Sequence, residues 1–264
     1  MIISASYKAD VPAFHGDRFM ECIERGYIER VNPYNKKKIR TSLKIEDVDC
    51  IVFWTKNPEP FLKHLDRLDE LGYKYYFQFT FTNLSDDYEK LGVTYREIRG
   101  AFRTLFLRIG KDRVIWRYDP IFMDGEIDVD FHTSNFLQIS KDLHRYTNKC
   151  VISFLDVYGK LKGKLQKHKI RQPTDSEIRK ICKSFSNIIE SHRYDLELST
   201  CAEGIDLSKY NIVKNSCVDP ILIEKITGKE FSKRGNRKEC GCAANVDIGE
   251  HKTCKHNCIY CYAN

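Results

Sequence analysis

Six short runs of β-branched and aromatic residues recur along the chain with helix-patterned segments between them, and this alternation limits the fold more than any other feature. The runs are IISAS at 2–6, CIVFW at 50–54, YYFQFTF at 75–81, VIWRY at 114–118, CVISFL at 150–155 and LELST at 196–200. Each has the length and composition of a strand. Between them, PEPFLKHLDRLDELG sets Phe61, Leu62, Leu65, Leu68 and Leu71 on one helical stripe. Two later segments open with capping boxes, Thr94 with Glu97 and Thr174 with Glu177, in which each side chain satisfies a backbone N–H of the other's turn. Gly72 and Gly110 stand where C-terminal caps are expected. Several of the strands are apolar on both faces, as strands of a parallel sheet with helical crossovers are. The expectation is an α/β fold, a full or partial (β/α) TIM-type barrel, with an open doubly wound sheet as the alternative because counting units does not fix closure. At 264 residues one domain suffices. Its barrel body would span 1–200, and a Cys-rich cluster-binding segment, 201–264, would complete it.

The residues at the strand ends are polar in a concerted way. They are Lys8 and Asp10, Lys56 and Asn57, Gln78, Thr80 and Thr82, Arg117 and Asp119, Ser153 and Asp156, and Glu203. Singly each has a local explanation, since Asn57-Pro58 and Asp119-Pro120 are turn dipeptides. Together they make a mouth for a polar ligand, because a barrel collects the C-terminal ends of its strands at one face. Gln78, Arg117, Asp119, Ser153 and Glu203 are the candidates for contacts to cofactor or substrate.

Eleven cysteines are many for this length. The N-terminus has no basic stretch followed by a long apolar run, and no run approaches a membrane span, so a cytoplasmic protein with reduced thiols is expected. Cys22, Cys50, Cys150 and Cys182 sit among apolar neighbours and read as small core side chains. The other seven fall in the last quarter, which is otherwise polar and rich in Gly, Asn and Lys. Cys254, Cys258 and Cys261 form C-x3-C-x2-C. A structural zinc would need a fourth ligand there, from His251 or His256, whereas three thiolates on a four-iron cluster leave one iron open. Cys201, Cys217, Cys240 and Cys242 make a complete tetrad for either zinc or an auxiliary [4Fe-4S] cluster. Coordination would hold together a tail that lacks a core of its own.

The segment CKHNCIYC resembles the cluster motif of the radical S-adenosylmethionine superfamily, including the aromatic Tyr260 before the last cysteine. The resemblance implies a [4Fe-4S] cluster on Cys254, Cys258 and Cys261, with S-adenosylmethionine chelated by the open iron and Tyr260 near its adenine. It further implies reductive cleavage to a 5′-deoxyadenosyl radical, a reductant such as flavodoxin or ferredoxin, and a full or partial barrel carrying the cluster at its mouth. In such enzymes the motif follows the first strand. Here it follows ANVDIG at 244–249, which implies a circular permutation in which IISAS takes the place of the next strand. The Gly-Gly-Glu turn that holds the cofactor's amino group in ordinary members is missing from SASYKAD. The order of WTKNP, YYFQFTF and VIWRYDPIF is similar to the internal strands of spore photoproduct lyase-like enzymes, and the whole chain resembles the domain-of-unknown-function family 1848. The substrate, small molecule, peptide or nucleic acid, is not implied, and no residue is assigned a catalytic role. The net charge of +7 keeps open a zinc-stabilised nucleic-acid-binding module, and the cysteines an iron-sulfur carrier or sensor without radical chemistry.

Overall fold

The computed structural model describes residues 1–31, 35–234 and 240–263. The strands are β1 (Ile2–Ala5), β2 (Tyr27–Val31), β3 (Lys38–Ser42), β4 (Cys50–Thr55), β5 (Tyr75–Thr80), β6 (Val114–Ile121), β7 (Lys149–Phe154), β8 (Glu197–Cys201), β9 (Ile212–Asn215) and β10 (Asn245–Asp247). The α-helices are α1 (Val11–Phe14), α2 (Gly16–Arg25), α3 (Leu65–Glu70), α4 (Tyr95–Ile109), α5 (Val129–Leu143), α6 (Lys162–Lys167), α7 (Asp175–His192) and α8 (Pro220–Thr227). Both capping boxes form, at the starts of α4 and α7. Gly72 and Gly110 adopt φ near +83°, a left-handed turn that suits a residue without Cβ. The predicted 58–72 helix begins instead as a 3-10 turn over Glu59–His64, with Pro60 in its opening, before α3 continues the same apolar stripe.

Eight strands form one parallel sheet in the order β10-β1-β4-β5-β6-β7-β8-β9, and β2 pairs with β3 in a separate antiparallel hairpin. The order is sequential except that the last strand lies beside the first, Ile2 facing Asn245 and Ser4 facing Asp247. Among the described residues β9 and β10 do not pair. The sheet is therefore open, and a closed barrel is not what forms. Nor is it doubly wound, because the order never reverses and the long helices share one face.

On that face Ile3, Ile51, Phe53, Phe77, Phe79, Trp116, Tyr118, Ile152 and Leu198 pack against α2, α3, α4, α5 and α7. Phe53 stacks on Phe77 at 4.8 Å, Trp116 on Phe136 at 5.1 Å and Phe136 on Phe185 at 3.9 Å. Each such side chain contributes about 1.5–3 kcal/mol by burial. The opposite face, which a closed barrel would turn inward on itself, is covered by the tail: Ile2, Val52, Tyr76, Ile115 and Val151 pack against Cys217, Val218, Ile223 of α8 and Cys242. Segment 201–263 thus supplies two edge strands and the cover of one sheet face. Cys22, Cys50, Cys150 and Cys182 are buried, as core thiols should be. Among the described residues no helix is long and apolar enough to cross a membrane.

Candidate metal and cofactor site

All eight parallel strands point their C-terminal ends at one cavity of about 450 Å³. Its wall takes Lys8 and Asp10 after β1, Thr55 and Lys56 at β4, Thr80 of β5, Arg117 and Asp119 of β6, Ser153 and Asp156 at β7, and Cys201 and Glu203 at β8. Cys217 follows β9, and Cys254, Cys258 and Cys261 follow β10. All seven cysteines of the tail line this space.

The terminal cysteine loop is fixed at its root by Asp247 of β10. That buried carboxylate accepts from Ser6 Oγ at 2.9 Å, from Tyr7 N at 3.2 Å and from Gly249 N at 2.8 Å. Gly249 is needed there, because a Cβ would collide with Ser6 Oγ. Farther along, Lys90 N donates to His256 O at 2.8 Å, Ile259 N to Tyr88 O at 3.0 Å and Tyr262 OH to Tyr7 O at 3.1 Å. The loop is thereby clamped between 6–15 and 85–90, regions far from it in sequence.

Burial raises the Cys254 thiol, and the backbone N–H groups of His256 and Asp10 oppose the shift by favouring its thiolate. Burial pushes Cys258 up more strongly, while the Lys56 ammonium pulls it back. Lys56 lies in a buried polar knot: its Nζ is 2.8 Å from Glu89 Oε1 and 3.2 Å from Tyr260 OH, and Glu89 also accepts from Thr82 and Tyr260. Burial alone would lower Lys56, but the Glu89 carboxylate outweighs it and the ammonium is stabilised. His256 turns Nε2 to Asp10 Oδ2 at 2.9 Å, so this nitrogen is committed elsewhere than to a metal, and His251 is exposed.

Across the cavity, the Sγ atoms of Cys201, Cys240 and Cys242 lie within 4.8 Å of one another, the only such trio of potential ligands among the described residues. Cys217 joins them through thiol contacts with Cys201 and Cys242. Hydrogen bonds among Cys201, Cys217 and Cys242, and then burial, push these three thiols above their ordinary value, with Cys201 opposing the shift on Cys217. Arg117 Nη1 donates to Cys217 Sγ at 2.8 Å while Nη2 donates to Asp119 Oδ2 at 2.6 Å. Burial would disfavour the guanidinium, but Cys217 and Asp119 more than compensate. Asp119, which also accepts from Ser153 Oγ, is pushed up by burial and pulled further down by Arg117, ending below the usual carboxylate value.

The two sulfur sets differ in spread. Tetrahedral zinc with bonds of about 2.3 Å needs sulfurs about 3.8 Å apart. The Cys201, Cys240 and Cys242 trio approaches that spacing. Cys254, Cys258 and Cys261 are not all within 4.8 Å of one another, so they are not drawn together at single-ion spacing.

Of the sequence candidates, Arg117, Asp119, Ser153, Glu203 and Tyr260 reach the cavity wall. Gln78 does not: its Nε2 donates to Cys217 O at 2.7 Å, underneath the second cysteine group. It faces the expected side of β5 but two residues, about 6.6 Å, deeper than Thr80. Asn57 and Thr82 also miss the wall. Glu89, Asp247, Ser6, Trp54 and Tyr262 belong to the site without having been singled out. Only Tyr262, adjacent to Cys261, carried any local signal.

The model of the family described as Domain of unknown function (DUF1848) matches residues 2–263. No curated protein and no solved structure matches the chain.

Proposed function

We propose, the chain being a member of the DUF1848 family, that it is a radical S-adenosylmethionine enzyme acting on a polar substrate. One observation carries the reading: β10, the strand that leads into the C-x3-C-x2-C loop, lies beside β1, so the loop enters the cavity at which the other strands also end. Cys254, Cys258 and Cys261 would hold a [4Fe-4S] cluster with one iron open to S-adenosylmethionine. When bound, that cluster would supply the electron that cleaves the cofactor's sulfonium and yields a 5′-deoxyadenosyl radical.

The chain's own residues prepare the site. The backbone N–H groups of Asp10 and His256 stabilise charge on Cys254, and Lys56 does so for Cys258. Tyr260 holds its ring against Phe122, 5.7 Å away, and its hydroxyl on Glu89. This leaves an aromatic wall that suits an adenine. Lys8, paired with Asp247 at 3.5 Å, and Arg117, paired with Asp119 at 2.6 Å, set positive charge on the wall that a ligand carboxylate would meet, and Asp156 and Glu203 set carboxylates there for an ammonium, in place of the missing Gly-Gly-Glu turn. Trp54 and Tyr7 meet edge-to-face at 5.5 Å and form part of the same wall.

The spacing of Cys201, Cys240 and Cys242 favours zinc, completed by Cys217, as a second reading for the second group. An auxiliary [4Fe-4S] cluster is the competing assignment, and metal analysis of protein purified without oxygen separates them. Reconstitution with iron and sulfide, reduction and a search for 5′-deoxyadenosine test the enzyme reading. The expected result is cofactor cleavage that Cys258→Ala abolishes. Colourless protein with stoichiometric zinc and no cleavage after full reconstitution would favour a zinc-stabilised binding module instead.

A further inference from the structure

Metal on Cys201, Cys217, Cys240 and Cys242 would bring a charge that the ligands do not cancel. Four thiolates around one divalent ion, or on an oxidised four-iron cluster, leave an excess of two negative charges. Cys217 and Cys242 are 7% and 8% exposed, so water screens that charge poorly. An uncompensated charge in such a place is costly, and a cation or N–H donors on the sulfurs have to offset it.

Arg117 of β6 stands where that cation is needed. Its Nη1 donates to Cys217 Sγ at 2.8 Å, between residues 100 apart in the chain, and the residue is 5% exposed. The guanidinium lies 5.2 Å from the centre of the Trp54 ring, and Trp54 Nε1 donates to Ser4 Oγ at 2.9 Å. Cys217 is itself fixed, because its carbonyl accepts from Tyr76 OH and from Gln78 Nε2, each at 2.7 Å. Val218 N adds a neutral donor to Cys242 Sγ at 3.3 Å. Side chains of β1, β4, β5 and β6 thus hold the guanidinium and its sulfur partner together. Such an arrangement needs no reorganisation when charge gathers on the sulfurs.

The same guanidinium faces a second anion. Nε and Nη2 both donate to Asp119 Oδ2, at 3.2 and 2.6 Å. Asp119 also accepts from Ser153 Oγ and stands on the cavity wall. One buried cation is therefore shared between a carboxylate and a sulfur group.

We propose that Arg117 is the positioning residue that sets the affinity of the second sulfur group for metal, by placing its charge on Cys217, an inference that rests on the metal reading of that group above. Removing the guanidinium leaves the loaded sulfurs uncompensated. Removing the carboxylate instead leaves the guanidinium to the sulfurs alone. The two substitutions therefore part in their effect on metal, whereas a merely structural pair responds alike to the loss of either partner.

The test is the zinc affinity of the full chain, read by competition with a chromophoric chelator at one pH and salt concentration. Every protein carries Cys254→Ser/Cys258→Ser/Cys261→Ser, so that the second group alone is read. R117Q is expected to bind zinc at least about tenfold more weakly than this background, the scale on which outer partners of metal ligands act. R117K, which keeps a charge, should bind more tightly than R117Q, and D119N should bind as tightly as the background or better. If the group takes iron in place of zinc, the iron retained against the chelator should follow the same order. A smaller loss in R117Q, no recovery in R117K, or a loss beyond about threefold in D119N would overturn the proposal. The D119N arm decides even if R117Q fails to fold. A background protein that takes up neither zinc nor iron would end the metal reading of this group and the proposal with it, whereas metal bound equally by all four proteins would end the proposal alone.

Discussion

The two faces of the eight-stranded sheet are stabilised by different means. Toward the long helices, alternate strand residues form a continuous apolar layer of Phe53, Phe77, Phe79, Trp116, Tyr118 and Ile152, which is self-sufficient. On the other face the same strands present Ser4, Trp54, Gln78, Arg117, Ser153 and Cys201 near their C-terminal ends. That face is covered by the eight-residue α8 and a cluster of thiols. The comparison teaches that a parallel sheet need not close to bury both sides. One side can be left to a cysteine-rich tail, whose order would then depend on a metal if its sulfurs hold one.

The largest effect is expected where the helix face is broken. Trp116 is fully buried, and Trp116→Ala should cost about 3–5 kcal/mol in urea denaturation, by the same amount before and after metal is removed with a chelator. A loss that shrank on chelation would mean that the two faces are coupled. Next is Asp119→Asn, which leaves the buried Arg117 guanidinium without its carboxylate and should cost about 2 kcal/mol at neutral pH. Because the Asp119 carboxyl sits below its ordinary value of 3.8, the stability it contributes is present above that pH and is lost as the pH falls through the lower, folded value. The deficit of the variant should therefore vanish in acid, as pH-dependent thermal melts would reveal.

Gly249→Ala sharpens the comparison from the tail side. Its Cβ would collide with Ser6 Oγ at the root of the cysteine loop, at a cost of about 1–3 kcal/mol. Iron retained after reconstitution should fall while α4, α5 and α7 keep their amide-exchange protection. Equal loosening of those helices would contradict the separation of the faces. The smallest effect is Glu177→Gln at the start of α7, about 1 kcal/mol, from one half of a capping box and an exposed pair with Arg171. The Arg171 pair and the Thr174 N–H hold Glu177 at about 2, so this contribution persists above pH 4.5 and is lost between there and about pH 2. It should leave metal content unchanged.

Six strands, both capping boxes and the four core thiols were legible because each is a local pattern. β9 and the β2–β3 hairpin were not. β9 is a four-residue edge strand with two exposed positions, Tyr27–Val31 has no buried position, and Lys38–Ser42 is largely polar. At the site, the cysteines announced themselves by spacing and the strand ends by polarity. Glu89, Ser6 and Asp247 did not, since their roles come from partners 171 residues away for Tyr260 and 241 for Ser6 with Asp247. Gln78 was read on the right face, but depth along a strand is set by the packing of α8 and the second thiol group, which no short window contains.

The central claim is that Cys254, Cys258 and Cys261 hold a four-iron cluster that binds S-adenosylmethionine at the cavity. Electron paramagnetic resonance of reconstituted, reduced Cys240→Ser/Cys242→Ser protein, in which the second group is disabled, tests it directly. The account predicts about four irons per chain and a cluster signal that shifts when S-adenosylmethionine is added. A variant that binds no iron, or a signal that the cofactor leaves unchanged, would contradict it.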